Sequence, residues 1–474
     1  MIKKKTKIVA TMGPSTNNRE VLKRMIQVGM NVCRVNFSHG KHQDYKLLVE
    51  MLRSIDEELN VHTAILADLQ GPKLRIGEVE NGSFSVKKGD EILFGIEDLI
   101  GNKDRLSITH LDFPKDVEVG EVILIDDGKL KLEILTTDND KWVTAKFLND
   151  GIVSSRKGVN LPDTKVSIPS LTEKDLKDLQ FALDMDFDWI GLSFVREPED
   201  VIQLKNLISA KNKHARVVAK IEKPEAIKHI KEIIRYSDAI MIARGDLGVE
   251  IPMQDVPLVQ KRIIRLCKKM AKPTIVATQM MESMIESPTP TRAEVNDVAN
   301  AVLDGTDAVM LSAETSVGKY PVETVLAMSQ IITRIEEYKQ EKIETKKNVN
   351  YQNERFITDS ICFSTAELSD KVAAKAIVIM THSGYSAYRI SSMRPKANIF
   401  AFTSNRKLLT QLSLVWGVEC KYYDRTVSTD ETIFDIIERL TKDNDVKKGD
   451  LIVNIASMPV KETGMSNMMK LSRV

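Results

Sequence analysis

Eight short apolar runs rich in β-branched residues, separated mostly by helix-sized stretches, constrain this chain more than any other feature. They fall at Lys7–Thr11, 32–37, 63–69, 189–194, Arg216–Ile221, Ala239–Ala243, 274–278 and Ala308–Leu311, with amphipathic segments such as Val256–Met270 and 292–303 between them. A strand reached through a helix-sized connection pairs parallel to its predecessor, because a tight turn reverses the chain and a crossover does not. Eight such units predict an α/β fold built on a closed (β/α)₈ TIM barrel; an open doubly wound sheet is the alternative that strand counting leaves.

The alternation breaks once. Residues 73–160 carry the turn formers Asn81-Gly82, Lys88-Gly89-Asp90, Asp126-Asp127-Gly128 and Asn149-Asp150-Gly151, read as hairpin signals, with period-two stretches such as Lys129-Leu130-Lys131-Leu132-Glu133-Ile134 between them. The expectation is an all-β, β-barrel-like domain inserted after the third barrel strand, lying as a lid over the C-terminal mouth where such barrels keep their active sites. The barrel domain is then 1–72 with 161–340. Residues 339–353 read as a helix tail and linker. Residues 354–474 read as a C-terminal α/β domain, with strands at Ala376–Met380, 399–402, 418–423 and 451–455. A chain of 474 residues is too long for one core, which suits three domains.

Composition narrows the function. The 68 basic and 67 acidic residues nearly cancel and leave no electrostatic footprint for nucleic acid or an anionic membrane. No uncharged apolar run approaches the ~20 residues of a membrane helix. The opening MIKKKTKIVATMGP is interrupted by Gly13-Pro14 too soon for a signal peptide. Cys33, Cys267, Cys362 and Cys420 are far apart and form no CxxC, which argues against a zinc site or disulfide framework and for a reducing, cytoplasmic setting.

In a barrel the chemistry sits where strands stop. After the second strand, alternation places Arg34, Asn36 and Ser38 on one side. That segment alone also fits an ordinary polar strand end with a helix cap. At the fifth strand Lys220 and Glu222 share a face, and Pro224 suits the first turn of the next helix. The sixth strand ends in Arg244-Gly245-Asp246, so Glu222 and Asp246 become neighbouring carboxylates, a donor pair for Mg²⁺ or Mn²⁺ rather than zinc. Gly245 allows close approach of backbone amides to an anion. The bland alternative is a structural Lys220–Glu222 ion pair, but burying such a pair gains little stability. Thr278 at the seventh strand, and Ser312 and Glu314 at the eighth, add polar groups to the same rim. Arg34, Lys220 and a divalent cation are what phosphoryl transfer requires, since its charge spreads over equatorial oxygens. No Walker A or protein-kinase motif is present.

The segments MNVCRVNFSHG, ILADLQGPKLRIG, RKGVNLP, AKIEKPEAI, MIARGDLGVEIP, ATQMMESM, PTRAEVNDVANAVLDGTDAVMLSAETSVGKYP and GMSNMMK resemble the pyruvate kinase family, in order and from Thr6 to the end. The resemblance implies phosphoenolpyruvate, ADP and a proton going to pyruvate and ATP, the final step of glycolysis. It makes Glu222 and Asp246 the divalent-metal ligands, Lys220 the group that stabilises the moving phosphoryl, and Arg34 the phosphate holder. Amides of Gly245 and Asp246 with the Thr278 hydroxyl would grip the substrate carboxylate. Asn36, His39, Arg75 and Lys157 would meet the nucleotide, which brings a second Mg²⁺. Thr278 and a water relay near Ser312 and Glu314 are the choices for protonating enolpyruvate.

One departure separates two branches of the family. Members that need K⁺ hold it with oxygens matching Asn36, Ser38, Asp68 and the Leu69 carbonyl, and carry Thr or Ser at the Leu69 position and Glu at the Lys73 position. With Leu69 and Lys73 this chain resembles the K⁺-independent branch, which implies activity without K⁺, since an ammonium tethered at Lys73 can supply the charge of the bound cation. If Lys73 instead points into solvent, Asp68 leaves a usable K⁺ site. The resemblance also implies a homotetramer and a sugar-phosphate or nucleotide effector at Thr381, His382, Ser383, Gly384 and Ser386, a segment that equally fits a simple helix cap. The chain ends soon after its last predicted strand, so the phosphohistidine-like domain that some bacterial members append is expected to be absent. A barrel lyase acting on phosphoenolpyruvate or pyruvate would share Glu222 and Asp246 without needing the lid. A silent metabolite sensor would use the third domain alone.

Overall fold

The computed structural model describes residues 2–338, 354–425, 428–458 and 465–474, so the expected linker at 339–353 lies outside the described residues. Eight parallel strands close into a barrel: Lys7–Thr11, Val32–Asn36, Ala64–Asp68, Trp189–Leu192, Arg216–Ile221, Ala239–Ala243, Thr274–Ala277 and Ala308–Leu311. Each pairs with its neighbours in sequence, and the first pairs with the eighth in the register Lys7↔Ala308. Closure rules out the open sheet. The strands are buried almost throughout, as expected when helices cover one face and the lumen the other. Val9, Val32, Leu66, Trp189, Val218, Met241, Ile275 and Met310 fill the lumen. Counting on by twos from these positions reaches Thr11, Arg34, Asp68, Ser193, Lys220 and Glu222, so one alternation aims all of them at the mouth.

Four strands stop one or two residues short of the runs read from sequence, at Asn36, Asp68, Leu192 and Ala277. The residues just beyond leave the sheet to build the site. Pro224 opens the helix Pro224–Lys228, where its missing N–H costs no bond.

Between the third and fourth strands the chain forms an all-β insertion with its own core, including Phe94, Phe113, Leu132 and Phe147. Its six-stranded sheet runs in the order Val159–Asn160, Val122–Ile125, Leu130–Thr137, Trp142–Phe147, Glu91–Gly95, Arg105–Ser107. Single bridges Arg75↔Gly158 and Ile76↔Ile108 bring its two edges to one segment, a barrel-like curl. A ribbon of Ser83–Val86 and Gly151–Ser154 lies beside it. Of the four hairpin signals, Asp126-Asp127-Gly128 closes a hairpin, with all three residues at positive φ. Lys88-Gly89-Asp90 and Asn149-Asp150-Gly151 carry the chain between the ribbon and the large sheet, and Asn81-Gly82 leads into the ribbon. A turn formed by the Gly-free Asp138-Asn139-Asp140, closed on the Asp138 carboxylate, escaped sequence reading.

The C-terminal domain is a five-stranded sheet in the order Val418–Tyr422, Asn398–Thr403, Ala376–Met380, Leu451–Ala456, Met468–Arg473. Its last strand, antiparallel at the sheet edge, was not foreseen; its alternation is masked because hydrophobic Met468 and Met469 adjoin. The cysteines are free. Among the described residues no helix is long and apolar enough to cross a membrane.

Candidate active site

Asp68, at the end of the third strand, organises the mouth. Its carboxylate takes Arg34 Nη2 at 2.6 Å and Nε at 2.7 Å on one oxygen, and Lys220 Nζ at 3.0 Å on the other. Arg34 Nη1 also donates to Thr11 Oγ1 at 2.7 Å. Lys220 continues to Glu222 Oε1 at 2.9 Å and to Ser193 Oγ at 2.7 Å. The Ser193 hydroxyl in turn donates a hydrogen bond to the Leu69 carbonyl, 2.7 Å away. Glu222 accepts a second bond from the Phe194 amide at 2.7 Å.

The electrostatics follow from this chain of pairs. Burial pushes the Asp68 carboxyl up, but Lys220 and Arg34 overcome it and hold it below the usual range. Burial pulls the Lys220 ammonium down, and Asp68 and Glu222 more than restore it, so it stays charged well above neutrality. Glu222 is raised, by burial first and by Asp246 against the pull of Lys220. The Asp246 side chain makes no hydrogen bond or ion pair among the described residues, while its backbone belongs to helix Arg244–Glu250. The two cations are held by Asp68 and Glu222, and the Asp246 carboxyl stands beside Glu222 with no ion-pair partner of its own among the described residues. Among the described residues no three His, Cys, Asp or Glu side chains gather to hold an ion. A divalent cation here would therefore rest on Glu222 and Asp246 and complete its shell with water and substrate oxygens, as Mg²⁺ tolerates well.

The rim after the seventh strand is strained. Thr278 and Gln279 have φ of 69° and 54°, left-handed for two consecutive non-glycine residues, one of them β-branched. Such conformations cost about 1–3 kcal/mol each and need outside support. Thr278 Oγ1 accepts the Gly245 amide at 2.7 Å and donates to the Ala277 carbonyl at 2.6 Å. At the eighth strand, Glu314 is buried and accepts the amides of Ser312 at 2.6 Å and Met281 at 3.3 Å. Its carboxylate ties two rim loops together, and burial raises it.

The remaining sequence-predicted residues are less gathered. Asn36 Oδ1 accepts the Ser38 amide at 3.1 Å, capping its own turn, and His39 is exposed. Arg75 and Lys157 are neighbours on the lid; Arg75 donates to the Arg156 carbonyl and Lys157 pairs with Asp126 at 2.9 Å. No hydrogen bond joins these two groups among the described residues. Leu69 is buried. Lys73 lies at the lid neck with its stem against Gly158, and its ammonium has no partner among the described residues. In the third domain Thr381 Oγ1 accepts the Gly384 amide at 2.9 Å, Ser383 Oγ faces the Tyr385 amide at 3.4 Å, and Ser386 is buried against Ser466. His382 is exposed.

Sequence reading missed Ser193 and the Phe194 amide, and weighed Asp68 as a K⁺ ligand alone. Parity could have found both side chains, since each continues the lumen-facing series of its strand.

Comparison with known proteins agrees with this architecture. The family model described as "Pyruvate kinase, barrel domain" matches residues 3–325, and "Pyruvate kinase, alpha/beta domain" matches 359–472. The chain is 41% identical over 472 residues to a pyruvate kinase of Geobacillus stearothermophilus, covering 99% of this chain and 80% of that one. It is 40% identical over 475 residues, with the same coverage, to that of Staphylococcus aureus strain MRSA252. A crystal structure of a pyruvate kinase from Cryptosporidium parvum superposes with a TM-score of 0.92 at 33% identity, covering 99% of this chain and 96% of that one.

Proposed function

This chain belongs to the pyruvate kinase family and is a phosphotransferase, and from that premise we propose that it carries out Mg²⁺-dependent phosphoryl transfer from phosphoenolpyruvate to ADP without requiring K⁺. Membership sets aside the lyase and sensor alternatives. The observation that carries the reading is the buried relay Arg34–Asp68–Lys220–Glu222 ending beside an unpaired Asp246.

In this reading Arg34 and Lys220 face the phosphoryl group. An oxygen of the ADP β-phosphate attacks phosphorus, the bond from phosphorus to the enol oxygen breaks, and its electron pair passes to the enolate. Asp68 fixes both cations before substrate arrives, so little reorganisation is needed as charge spreads over the transferring oxygens. A Mg²⁺ held by Glu222 and Asp246 would supply further positive charge at the reacting oxygens. The amides of Gly245 and Asp246 lie in the first turn of helix Arg244–Glu250, where helical partners are lacking. With Thr278 they suit a carboxylate, which must take over the Gly245-to-Thr278 bond. The methylene carbon then takes a proton through Thr278 and a water relay reaching Ser312. Glu314, with its oxygens on backbone amides, orders that relay. Asn36, His39, Arg75 and Lys157 would receive the nucleotide and its own Mg²⁺.

K⁺ independence is supported by two features. Both oxygens of Asp68 are engaged by protein cations, and the Leu69 carbonyl is taken by Ser193. The Lys73 ammonium at the neck of the insertion, without a partner among the described residues, would supply a positive charge toward arriving nucleotide phosphates. A homotetramer, a cytoplasmic location and a phosphorylated effector at 381–386 complete the reading on family resemblance. There an anion would take over the amides that Thr381 and Ser383 now face.

The test is the initial rate of pyruvate formation from phosphoenolpyruvate, ADP and Mg²⁺ in K⁺-free buffer, then with KCl at constant ionic strength. A full rate without K⁺ is expected. A rate that appears with K⁺ alone keeps the kinase and overturns the role of Lys73, and no ADP-dependent pyruvate in either buffer overturns the kinase.

A further inference from the structure

The strained turn at Thr278 does not stand by itself. Arg244, the first residue of helix Arg244–Glu250, reaches across to it: Nη2 donates to the Thr278 carbonyl at 2.7 Å and Nε to the Ala277 carbonyl at 3.3 Å. The same guanidinium is gripped from the other side by Asp297, with Nη1 and Nη2 each 2.7 Å from a carboxylate oxygen. Asp297 lies on helix Arg292–Asp304, whose start is fixed by a Thr291–Glu294 capping box. Nη2 also lies 2.9 Å from Met280 Sδ. The guanidinium therefore bonds the peptide groups on both sides of Thr278, the one that enters it and the one that leaves it, and a rigid helix aims it through a bidentate carboxylate. Neither Thr278 nor Gln279 is a glycine, so their positive φ persists because neighbours over-determine it.

We propose that Arg244 and Asp297 are positioning residues that hold Thr278 in its left-handed conformation, so that its hydroxyl faces the Gly245 amide and the substrate carboxylate. The proposal rests on the phosphoenolpyruvate reading for what Thr278 does, but the clamp itself is a property of the fold. Loss of the clamp lets the turn relax toward ordinary φ and withdraws the hydroxyl, while the nucleotide residues on the lid stay where they are. A lysine at 244 cannot replace the fork, because an ammonium cannot serve two carbonyls and a carboxylate in one plane.

The test uses the full chain with Asp297→Asn, Arg244→Lys, and Asp297→Asn combined with Gln279→Gly. Asparagine keeps the shape and loses the charge; glycine at 279 adopts positive φ without strain. Kinetics should show kcat with phosphoenolpyruvate falling about tenfold or more in Asp297→Asn, with KM for ADP within twofold, and the added glycine recovering at least a third of the lost rate. Hydrogen exchange of the peptide containing the Gly245 amide reads the clamp without catalysis. It should quicken at least tenfold in Asp297→Asn and slow again with Gln279→Gly. If Asp297→Asn does not fold, Arg244→Lys with and without Gln279→Gly is read the same way. Unchanged exchange and rate, or a loss that moves KM for ADP equally and is not rescued by glycine, overturns the proposal. Exchange that follows the prediction in a protein making no ADP-dependent pyruvate keeps the clamp and overturns the substrate assignment.

Discussion

Asp68 shows how one side chain sets the character of a site. It is buried, and it is the shared partner of Arg34 and Lys220, so its loss strands two cations in a low-dielectric mouth. Asp68→Asn should destabilise the protein by about 3 kcal/mol in urea unfolding at pH 7, in the range for breaking buried pairs. It should also lower kcat by about 10²-fold through misplacement of both cations. The pH dependence has a definite sign. The Asp68 carboxyl sits below its unfolded value of about 3.9, because its two cations outweigh burial. Its stabilisation is therefore complete above that value and is lost as pH falls through the lower folded one. Unfolding free energies measured from pH 6 down to pH 3 should fall less steeply in the variant; parallel curves would refute the account.

At the scale of elements, the all-β insertion is a folded unit with its own core, held to the barrel at its neck. Glu250, ending helix Arg244–Glu250, accepts Asn160 Nδ2 of the lid at 2.7 Å and Lys223 Nζ of the barrel at 2.6 Å. Arg196 holds the returning chain through the carbonyls of Val166 at 2.6 Å and Ile168 at 2.8 Å. Because Arg75 and Lys157 ride on the insertion, its docking sets where these two side chains, proposed above to meet the nucleotide, stand. Glu250→Gln weakens a charge-assisted bond worth about 1.5 kcal/mol or more, so KM for ADP should rise about tenfold while KM for phosphoenolpyruvate changes less. Initial rates at varied ADP decide it, and an unchanged KM would assign lid placement to Arg196 instead. The same helix carries Arg244, Gly245 and Asp246, so docking of the insertion shares one short element with the proposed Asp246 metal ligand and the proposed Thr278 clamp.

Across the whole molecule, the third domain plugs the end of the barrel opposite the mouth. Leu414 joins the lumen core. Arg394 pairs with Asp307 at 3.0 Å and stacks on Trp416, and Lys7 reaches the Val418 carbonyl at 2.8 Å. Burial pulls the Lys7 ammonium down to about 8, against Glu419, Glu336 and Asp307 that hold it up. The unfolded chain keeps that proton to about 10.4. Between those values the unfolded state binds more protons, so this residue makes stability rise with pH, and its charged form is most costly below 8. Lys7→Met should flatten the rise in unfolding free energy between pH 7 and pH 9.5; an equal slope in both proteins would place the pH dependence elsewhere.

Much of this was legible in the chain because it is local. Strand and helix periods depend on neighbouring residues, so the order of elements, the break at 73–160 and the shared face of Lys220 and Glu222 could be read directly. Arg34, Lys220, Glu222 and Asp246 declared themselves by standing at strand ends. Turn formers marked where the chain bends but not which strands it joins, so three of the four hairpin signals serve other connections. Closure belongs to the tertiary structure. The pairing of the first strand with the eighth brings the strand ends into one ring, and that ring turns Asp68 into the common partner of two distant cations and places Ser193 under Lys220. The left-handed turn at Thr278 is likewise a tertiary decision. No local preference favours positive φ there, and it persists because Arg244 and Asp297, from two other elements, hold it against the chain's own inclination.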